Sequence, residues 1–324
     1  MIKISVVITV KNDEEGVRKL LGDLNKQTVK PDEVIIVRSE NYGNCTRGKG
    51  RNIGIRMARN ELIAVTDVGC RPSRDWVERI TAGLYTPNES SFSSWSASTP
   101  AKSDHSGFGR TSDFFLRKKS GSSEKVVVAG WYRAVAETPW QKVFLPYLVP
   151  TRLNNYLPAS RSIAFTKKAW GLVGGYPEEP VSGGEDLKFA DNLCNHPGIK
   201  IIYLPKAVVY WPVPATLSAF IKDIVKHTRG NFEAGYWPHI FRNLSVVARW
   251  MVMAVWPWVI TIYLGIKFIK IINVIKIRRF RSVFVDGRIG TFLLIPVVQL
   301  VADAAVVYGT VIGIIDGWVI KKLR

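Results

Sequence analysis

Short apolar runs alternate with helix-like segments along the first part of the chain. Residues 4–8, 33–37 and 62–66 are runs typical of buried strands. Apolar residues at helical spacing separate these runs, first over 17–24 and then over 52–59. The order strand, helix, strand, helix, strand predicts a parallel, doubly wound sheet. In such a sheet, ligands bind beyond the carboxyl ends of the strands.

A second group of strands is predicted farther along the chain. The run 126–131 resumes the strand pattern, and 199–204 and 207–211 predict two more strands. Between the two groups, residues 90–124 are rich in serine and lack periodicity, so we predict a mobile surface insertion there. The fold class is therefore α/β with a mixed, largely parallel sheet, in a domain that covers residues 1–215.

The last part of the chain predicts an α-helical membrane domain over residues 244–324. Apolar stretches cover 240–275 and 291–315, with a basic segment between them. The first stretch can form one span of about 20 residues or two short spans that turn near Pro257. Two spans keep the basic segment on the same side as the sheet domain, as the positive-inside rule requires. We therefore predict three spans in total.

The segment 216–243 predicts an amphipathic helix between these two domains. Its apolar stripe consists of Leu217, Phe220, Ile221, Ile224 and Val225. Its basic positions are Lys222, Lys226, His227 and Arg229. A basic amphipathic helix before a membrane segment is typical of the bilayer interface. The alternative is a helix that packs on the soluble domain.

Composition restricts the classes of partner. The net charge is +19, from 45 Lys and Arg against 26 acids, and it indicates anionic partners. The sequence shows no zinc, helix-turn-helix or RNA-binding pattern, so nucleic acid is not expected as a partner. Anionic membrane lipids and phosphorylated substrates fit better, because much of the charge lies beside the apolar segments.

Cysteine usage and the first residues indicate the compartment. Cys45, Cys70 and Cys194 form no paired motif, so neither a disulfide framework nor a zinc site is predicted. The first ten residues resemble a strand and not a signal peptide. We therefore expect a multi-pass protein of the cell membrane whose sheet domain lies in the cytoplasm.

Two acids follow a glycine pair at the start of a predicted helix. Glu185 and Asp186 come directly after the glycines, and apolar residues continue at helical spacing over 187–193. This pattern predicts a turn that holds a carboxylate at an exposed corner, where a general base can work. The alternative is that both acids only complement the helix dipole, which is worth about 0.3–1 kcal/mol for each.

A third carboxylate ends the third predicted strand. Asp67 follows the run 62–66. A carboxylate in this position suits a divalent cation that bridges diphosphate oxygens, because magnesium and manganese prefer oxygen ligands. The alternative is an aspartate that only bonds to its own turn.

Six segments in a fixed order resemble family 2 glycosyltransferases of the GT-A fold. They are residues 5–12, 50–54, 66–72, 158–165, 174–178 and 184–186. The resemblance extends from the first strand to about residue 235. The apolar tail resembles the lipid- and polysaccharide-directed branch, which includes cellulose-synthase-like enzymes and archaeal mannosyltransferases that depend on polyprenyl or dolichyl phosphate.

This resemblance implies roles for individual residues. Asp186 would be the general base that takes the acceptor's proton during one inverting displacement, and Glu185 would orient it or meet the acceptor. Arg161 and Arg229 would bind an anionic acceptor or the leaving diphosphate. Asp67 would hold the divalent cation, Mn²⁺ or Mg²⁺. The nucleotide-sugar donor would contact Thr9, Val10, Asn12, Glu14, Arg38, Arg51, Asp67 and Val68.

The sequence departs from the family's pattern at two places. Gly69 stands where the second acid of the family's DxD motif is expected, so waters or donor phosphates would have to complete the cation's ligands. Arg38 and Ser39 replace the acidic pair that follows the second strand, so the nucleotide cannot be assigned.

The resemblance implies an inverting, metal-assisted glycosyltransferase at the cytoplasmic membrane face. It would transfer a sugar from a nucleotide sugar to a lipid-phosphate-linked acceptor, and mannose from GDP-mannose with a dolichyl or polyprenyl acceptor is the preferred pair. A nucleotidyltransferase is one alternative, but it would need a glycine-rich basic loop where residues 9–12 run directly into an acidic helix start. A non-catalytic membrane scaffold is the other alternative, and Gly69 favours it.

Overall fold

A computed structural model of the protein describes residues 3–85, 125–148, 157–179, 182–277 and 289–323. The predicted serine-rich insertion lies outside these ranges. The strands are β1 (Ile4–Val10), β2 (Glu33–Arg38), β3 (Leu62–Val65), β4 (Arg71–Pro72), β5 (Val126–Val135), β6 (Ile163–Thr166) and β7 (Lys200–Pro212). They form one seven-stranded sheet in the order β2-β1-β3-β6-β5-β7-β4.

Ten described α-helices surround or follow this sheet. They are α1 (Glu14–Asn25), α2 (Arg47–Met57), α3 (Trp76–Tyr85), α4 (Pro139–Leu148), α5 (Lys167–Leu172), α6 (Glu185–Asn195), α7 (Leu217–Glu233), α8 (Trp237–Val255), α9 (Val259–Ile277) and α10 (Ile289–Leu323). A short 3₁₀ helix, Ser39–Tyr42, follows β2.

The sheet is mixed, as predicted, with three parallel and three antiparallel strand pairings. β1 pairs in parallel with both β2 and β3, which confirms the predicted doubly wound half. β6 runs antiparallel to both of its neighbours, and β4 runs antiparallel to β7. β5 and β7 also pair in parallel, and theirs is the longest ladder in the sheet. Most of the paired residues therefore belong to parallel pairings, in agreement with the prediction, although apolar periodicity alone did not fix the direction in which β6 enters the sheet.

The two strands predicted near residues 199–211 form one continuous strand. β7 pairs with β5 along its whole length, and the register shifts opposite Ala129 and Trp131. Pro205 lies where the register shifts, between Tyr203 and Val208. A proline lacks the N–H that a ladder requires, and an irregularity of this kind tolerates it without ending the strand.

The two faces of the sheet carry separate apolar clusters. Ile4, Val6 and Ile8 of β1 pack on one face with residues of α1 and α3. The intervening Val7 packs on the other face with residues of α2 and α6. This alternation follows from the two-residue period of a strand, and it places helices on both faces of the sheet.

The C-terminal helices pack on the sheet domain through α7. Phe144 of α4 and Phe220 of α7 stack with ring centroids 4.4 Å apart, and Val298 and Ala302 of α10 join the same cluster. α8 and α9 are separated at Pro257, where the sequence predicted a turn. These contacts join α10 to the helix that follows the last strand.

The predicted three spans are not supported by the described helices. By length and composition, the described residues contain one segment that could cross a membrane, Leu294–Asp316 of 23 residues, and a shorter apolar helix, Val259–Ile269. α8 does not qualify, since Arg242, Asn243 and Arg249 interrupt its apolar character. A multi-helix membrane domain therefore stays a prediction.

Candidate active site

A cavity of about 750 Å³ opens beyond the carboxyl ends of the first three strands. Val10 ends β1, Val37 lies near the end of β2, and Asp67 follows β3; all three line it. The other walls come from α2, the turn before α6 and the polar face of α7. The position agrees with the rule that α/β sheets bind ligands at this edge.

A buried arginine joins two of the predicted site acids. Arg51 of α2 is 2% exposed, and its Nη2 lies 2.8 Å from Asp67 Oδ1. Its Nη1 lies 3.2 Å from Oε1 of Glu185, which is also buried. The guanidinium lies 5.1 Å from the ring centroid of Tyr176. A single buried cation therefore connects α2, the end of β3 and the start of α6.

The electrostatics of this triad keep Asp67 ionised. Burial by itself raises the pKa of the Asp67 carboxyl, but the charges of Arg51, Arg161 and Arg47 and a hydrogen bond from Arg51 lower it to about 2. Burial lowers the pKa of Arg51, whereas Asp67 and Glu185 raise it, and the net shift is upward. Each partner thus stabilises the charged form of the other.

The neighbouring Asn52 explains how α2 is held in this position. Its Nδ2 donates to the Tyr176 carbonyl at 2.8 Å and to Glu178 Oε1 at 2.7 Å. Its Oδ1 accepts from Trp170 Nε1 at 3.0 Å and from the Tyr176 N–H at 2.9 Å. The buried amide is therefore fully satisfied, and it brings the motif at 50–54 into contact with the motif at 174–178.

The glycine pair before α6 allows two backbones to meet. A Cβ on Gly184 would lie 2.2 Å from the carbonyl oxygen of Gly230 in α7, so only glycine fits there. Gly183 has φ of +131°, a conformation that L side chains rarely adopt. The first turn of α6 therefore rests directly on α7.

The two acids at this corner point to different surroundings. Glu185 is buried against Arg51, whereas Asp186 is half-buried and lines the cavity. Oδ1 of Asp186 accepts a hydrogen bond from the Leu187 N–H at 2.9 Å, which fixes the carboxylate at the start of the helix. No basic side chain of the described residues lies within ion-pair distance of Asp186.

The polar face of α7 lines the cavity. Asp223, Lys226 and His227 lie at helical spacing on this face. The opposite, apolar face packs through Phe220 and Ile224 against α4 and α10. The structure therefore places α7 against the sheet domain, which is the alternative that the sequence left open for 216–243.

The two predicted arginines differ in how their charges are balanced. Arg161 contacts two mutually perpendicular aromatic rings, with its guanidinium carbon 4.4 Å from the centroid of Trp211 and 5.0 Å from that of Tyr132. Burial lowers the pKa of Arg161, whereas Asp67 raises it, with a net upward shift. Arg229 lies 3.1 Å from Glu233 Oε1 and 2.6 Å from Asp316 Oδ2, the last residue of the apolar segment in α10.

Some predicted donor contacts do not reach the cavity. Thr9, Val10 and Val68 line it. Glu14 and Arg38 form an exposed ion pair with each other at 2.7 Å. Asn12, with φ of +52°, donates its backbone N–H to Glu40 Oε1 at 2.8 Å. The described lining of the cavity contains none of the side chains of Asn12, Glu14 and Arg38.

Other lining residues were not predicted as part of the site. They include Ser182, Asp223, Lys226, His227, Trp211, Arg47 and Lys11. The 3.6-residue period of α7 already placed Lys226 and His227 opposite its apolar stripe. That period could not show whether the polar face meets water, a membrane or a cavity.

The residues around Asp67 do not build a metal site of their own. Arg51 already occupies Oδ1 of Asp67. Gly69, which replaces the second acid, has open space where a side chain would lie. The part of the chain that the structure describes contains no group of three or more His, Cys, Asp or Glu side chains that could hold a metal ion. The predicted cation therefore lacks the protein ligands that a resident site needs.

Comparisons with known proteins identify similar structures. No family model and no curated protein matches the chain. Mannosyltransferase PcManGT from Pyrobaculum calidifontis, in complex with GDP-Man and Mn²⁺, aligns at 14% identity over 75% of this chain and 64% of its own, with a TM-score of 0.47. S. aureus TarS 1-349 in complex with UDP aligns at 16% identity over 96% of this chain and 90% of its own, with a TM-score of 0.42.

A third structure, GalNAc-T7 with UDP, GalNAc and Mn²⁺, aligns at 13% identity over 71% of this chain and 48% of its own, with a TM-score of 0.43. The chain thus spans 64% of PcManGT and about half of GalNAc-T7.

Proposed function

We propose that this protein is an inverting glycosyltransferase that uses a nucleotide sugar. One observation carries the proposal: the carboxylate of Asp186 is fixed at a helix start in a cavity that several cations line, and no described basic side chain lies within ion-pair distance of it. The ordered motifs at 5–12, 50–54 and 184–186 support it, since each contributes residues to the lining of this cavity.

The proposed reaction is a single displacement. Asp186 takes the proton from the acceptor oxygen, the P–OH of a lipid phosphate in its monoanionic form, while that oxygen attacks the anomeric carbon of the donor sugar. The bond between the anomeric carbon and the β-phosphate oxygen breaks, and its electron pair leaves with the nucleoside diphosphate. The configuration inverts because attack and departure occur on opposite sides. Cationic side chains stabilise the charge that develops on the leaving oxygen.

Arg51, Asp67 and Glu185 have a supporting part in this proposal. The buried triad holds the start of α6, and with it Asp186, against the end of β3. Arg161, held against two aromatic rings, lines the same cavity and can bind phosphate oxygens bidentately.

The proposed acceptor is a lipid-linked phosphate at the cytoplasmic face of the cell membrane. Exposed apolar residues line one side of α8 at helical spacing: Trp237, Phe241, Leu244, Met251 and Val255. An exposed apolar stripe of this length is typical of a surface that meets lipid or protein. α10, with its apolar segment, packs beside α7, whose polar face lines the cavity. A lipid substrate held by these helices would present its phosphate to the cavity.

The preferred donor is GDP-mannose with a dolichyl or polyprenyl phosphate acceptor, as the resemblance implies. The test is transfer by the full chain in lipid nanodiscs, with a panel of nucleotide sugars and polyprenyl phosphate. Transfer from another nucleotide sugar would replace the donor and leave the reaction class intact. Nucleotidyl transfer would instead release inorganic diphosphate from a nucleoside triphosphate, and a scaffold would release no nucleoside diphosphate.

The base assignment is tested with Asp186→Asn. This variant should retain donor binding and lose transfer by at least about 100-fold, the scale expected for a general base. Asp191→Asn, farther along the same helix and hydrogen-bonded to Asn195, is the matched control and should keep full activity. Transfer by Asp186→Asn at the wild-type rate would refute the assignment.

A further inference from the structure

Among the described residues, several cations that line the cavity form no ion pair with a carboxylate, although acids farther away act on their charges. Arg51 is paired with Asp67 and Glu185, and Arg229 is paired with Glu233 and Asp316. Lys226, Arg161 and Arg47 also line the cavity. Within the described ranges, none of these three has a carboxylate oxygen within ion-pair distance. Their charge is therefore available to a ligand.

Lys226 is held in place although its charge is unpaired. The part-buried side chain packs along Gly183, where a Cβ would lie 3.0 Å from Lys226 Cε. Burial and the positive charge of Arg47 lower the pKa of the Lys226 ammonium, whereas Glu185, Asp223 and Asp67 raise it, and the net shift is downward. A confined cation next to a second cation is unfavourable unless an anion binds between them. The arrangement indicates an anion site to which at least two cations, Lys226 and Arg47, contribute.

Arg161 supplies a third cation to this site. Trp211 and Tyr132 fix its guanidinium plane, so little side-chain freedom is lost when it binds an oxygen anion. The charge of Asp67 acts more strongly on Arg161 than that of any other acid. Asp67 nevertheless forms its ion pair with Arg51, at 2.8 Å, and not with Arg161. Arg161 can therefore turn its donors toward the cavity.

The same residues are unsuited to a divalent cation. The one carboxylate at the strand end already shares an oxygen with Arg51, and Gly69 supplies no second ligand. A metal ion would in addition be repelled by Lys226, Arg161 and Arg47. The charge that a cation would bring to a diphosphate is already present on these side chains.

We propose that Lys226, Arg161 and Arg47 bind the diphosphate of the nucleotide sugar, and that transfer proceeds without a divalent cation. This inference rests on the proposed function. The reaction is otherwise unchanged: the acceptor's proton goes to Asp186, and the electron pair of the broken bond goes to the β-phosphate oxygen. The three cations neutralise that oxygen in place of a metal ion.

The experiment compares transfer by the full chain in nanodiscs with EDTA and with added Mn²⁺ or Mg²⁺. The wild type should keep its rate in EDTA within about twofold. Lys226→Met should lose at least about 100-fold, as is typical when one donor to a developing oxyanion is removed. Lys226→Arg should retain most of the rate because the charge is kept.

Lys222→Met is the matched control. Lys222 is exposed on the same helix and does not line the cavity, so its loss should leave the rate unchanged. Binding of GDP and UDP, measured calorimetrically in EDTA, supplies a readout independent of turnover. Affinity should fall at least about tenfold in Lys226→Met, since a charge-assisted phosphate contact is lost.

Three results would overturn the inference. Abolition of transfer by EDTA, with restoration by Mn²⁺, would leave the glycosyltransferase function intact and disprove the metal-free site. Unchanged nucleotide binding and transfer in Lys226→Met would disprove the role of the lysine. Absence of transfer and of nucleoside diphosphate release under every condition would instead reject the proposed function, and the inference with it.

Discussion

Two walls of the cavity, formed by α2 and α7, differ in whether their basic side chains form ion pairs with described acids. On the wall formed by α2, Arg51 is buried and each of its acids lies within 3.2 Å or less. On the wall formed by α7, Lys226 is part-buried and has no described carboxylate partner. A neutralised buried charge fixes geometry, whereas an unpaired one can bind a ligand. The first wall therefore positions Asp186, and the second is available for phosphate.

Arg51→Met should have the largest effect on the free energy of unfolding because it removes the ion pairs with Asp67 and Glu185. The change leaves Glu185 without its ion-pair partner and removes the closest of the cations that act on Asp67. Loss of one partner from a buried ion pair costs about 3–5 kcal/mol. The measurement is the free energy of unfolding from urea titrations monitored by circular dichroism.

Arg56→Met is the matched control for that variant. Arg56 lies on the same helix but forms an exposed pair with Glu178, so its loss should cost about 1 kcal/mol or less. Equal losses in the two variants would contradict the structural role assigned to Arg51.

Gly184→Ala tests the close backbone contact between the start of α6 and Gly230 of α7. The added Cβ would collide with the Gly230 carbonyl, so α6 and α7 must separate, at a cost of about 1–3 kcal/mol. Displacement of Asp186 should also reduce transfer about 100-fold. Gly171→Ala is the control, since a Cβ at Gly171 meets open space. Wild-type transfer by Gly184→Ala would show that this contact does not position the base.

The loss of stability at low pH should depend on the ion pair between Arg51 and Asp67. The pKa of the Asp67 carboxyl falls from 3.8 to about 2 on folding, so its ionised form stabilises the protein above the higher value. That contribution, about 2 kcal/mol, is lost as the pH falls through the folded-state pKa. The free energy of unfolding of Asp67→Asn should therefore decline less than that of the wild type between pH 5 and 2. Parallel declines would contradict this assignment.

Lys226→Met should have the smallest effect on stability. The lysine pairs with no described acid, so its removal should change the free energy of unfolding by about 0.5 kcal/mol or less, and in the stabilising direction. The same variant should lose nucleotide binding, which is the reverse of the pattern expected for Arg51→Met. A large loss of stability would show that the lysine has a structural role.

Local sequence patterns predicted the elements that surround the site. The first three strands, the helix that starts with Glu185 and Asp186, and the helix break at Pro257 all lie where periodicity or turn residues indicated. These features depend on neighbouring residues, through strand and helix periods and through the special backbone of glycine and proline. The parallel pairing of β1 with β2 and β3 followed from the same order of elements.

Long-range contacts determined what local patterns could not. The antiparallel entry of β6 depends on its partners β3 and β5, which lie far away in the chain. The ion pairs of Arg51 join residues 16 and 134 positions apart. A sequence period shows that α7 has a polar face, but only packing of the opposite face against α4 and α10 turns that face toward the cavity.

The sequence by itself thus determined the types of side chain at the site and the elements that carry them. The tertiary structure alone decided which of those charges are neutralised and which stay available. The physical reason is that the free energy of a charge depends on burial and on partners within a few ångströms. Arg51 and Lys226 are both basic residues on helices, and only the fold makes one a structural pair and the other a candidate ligand of phosphate.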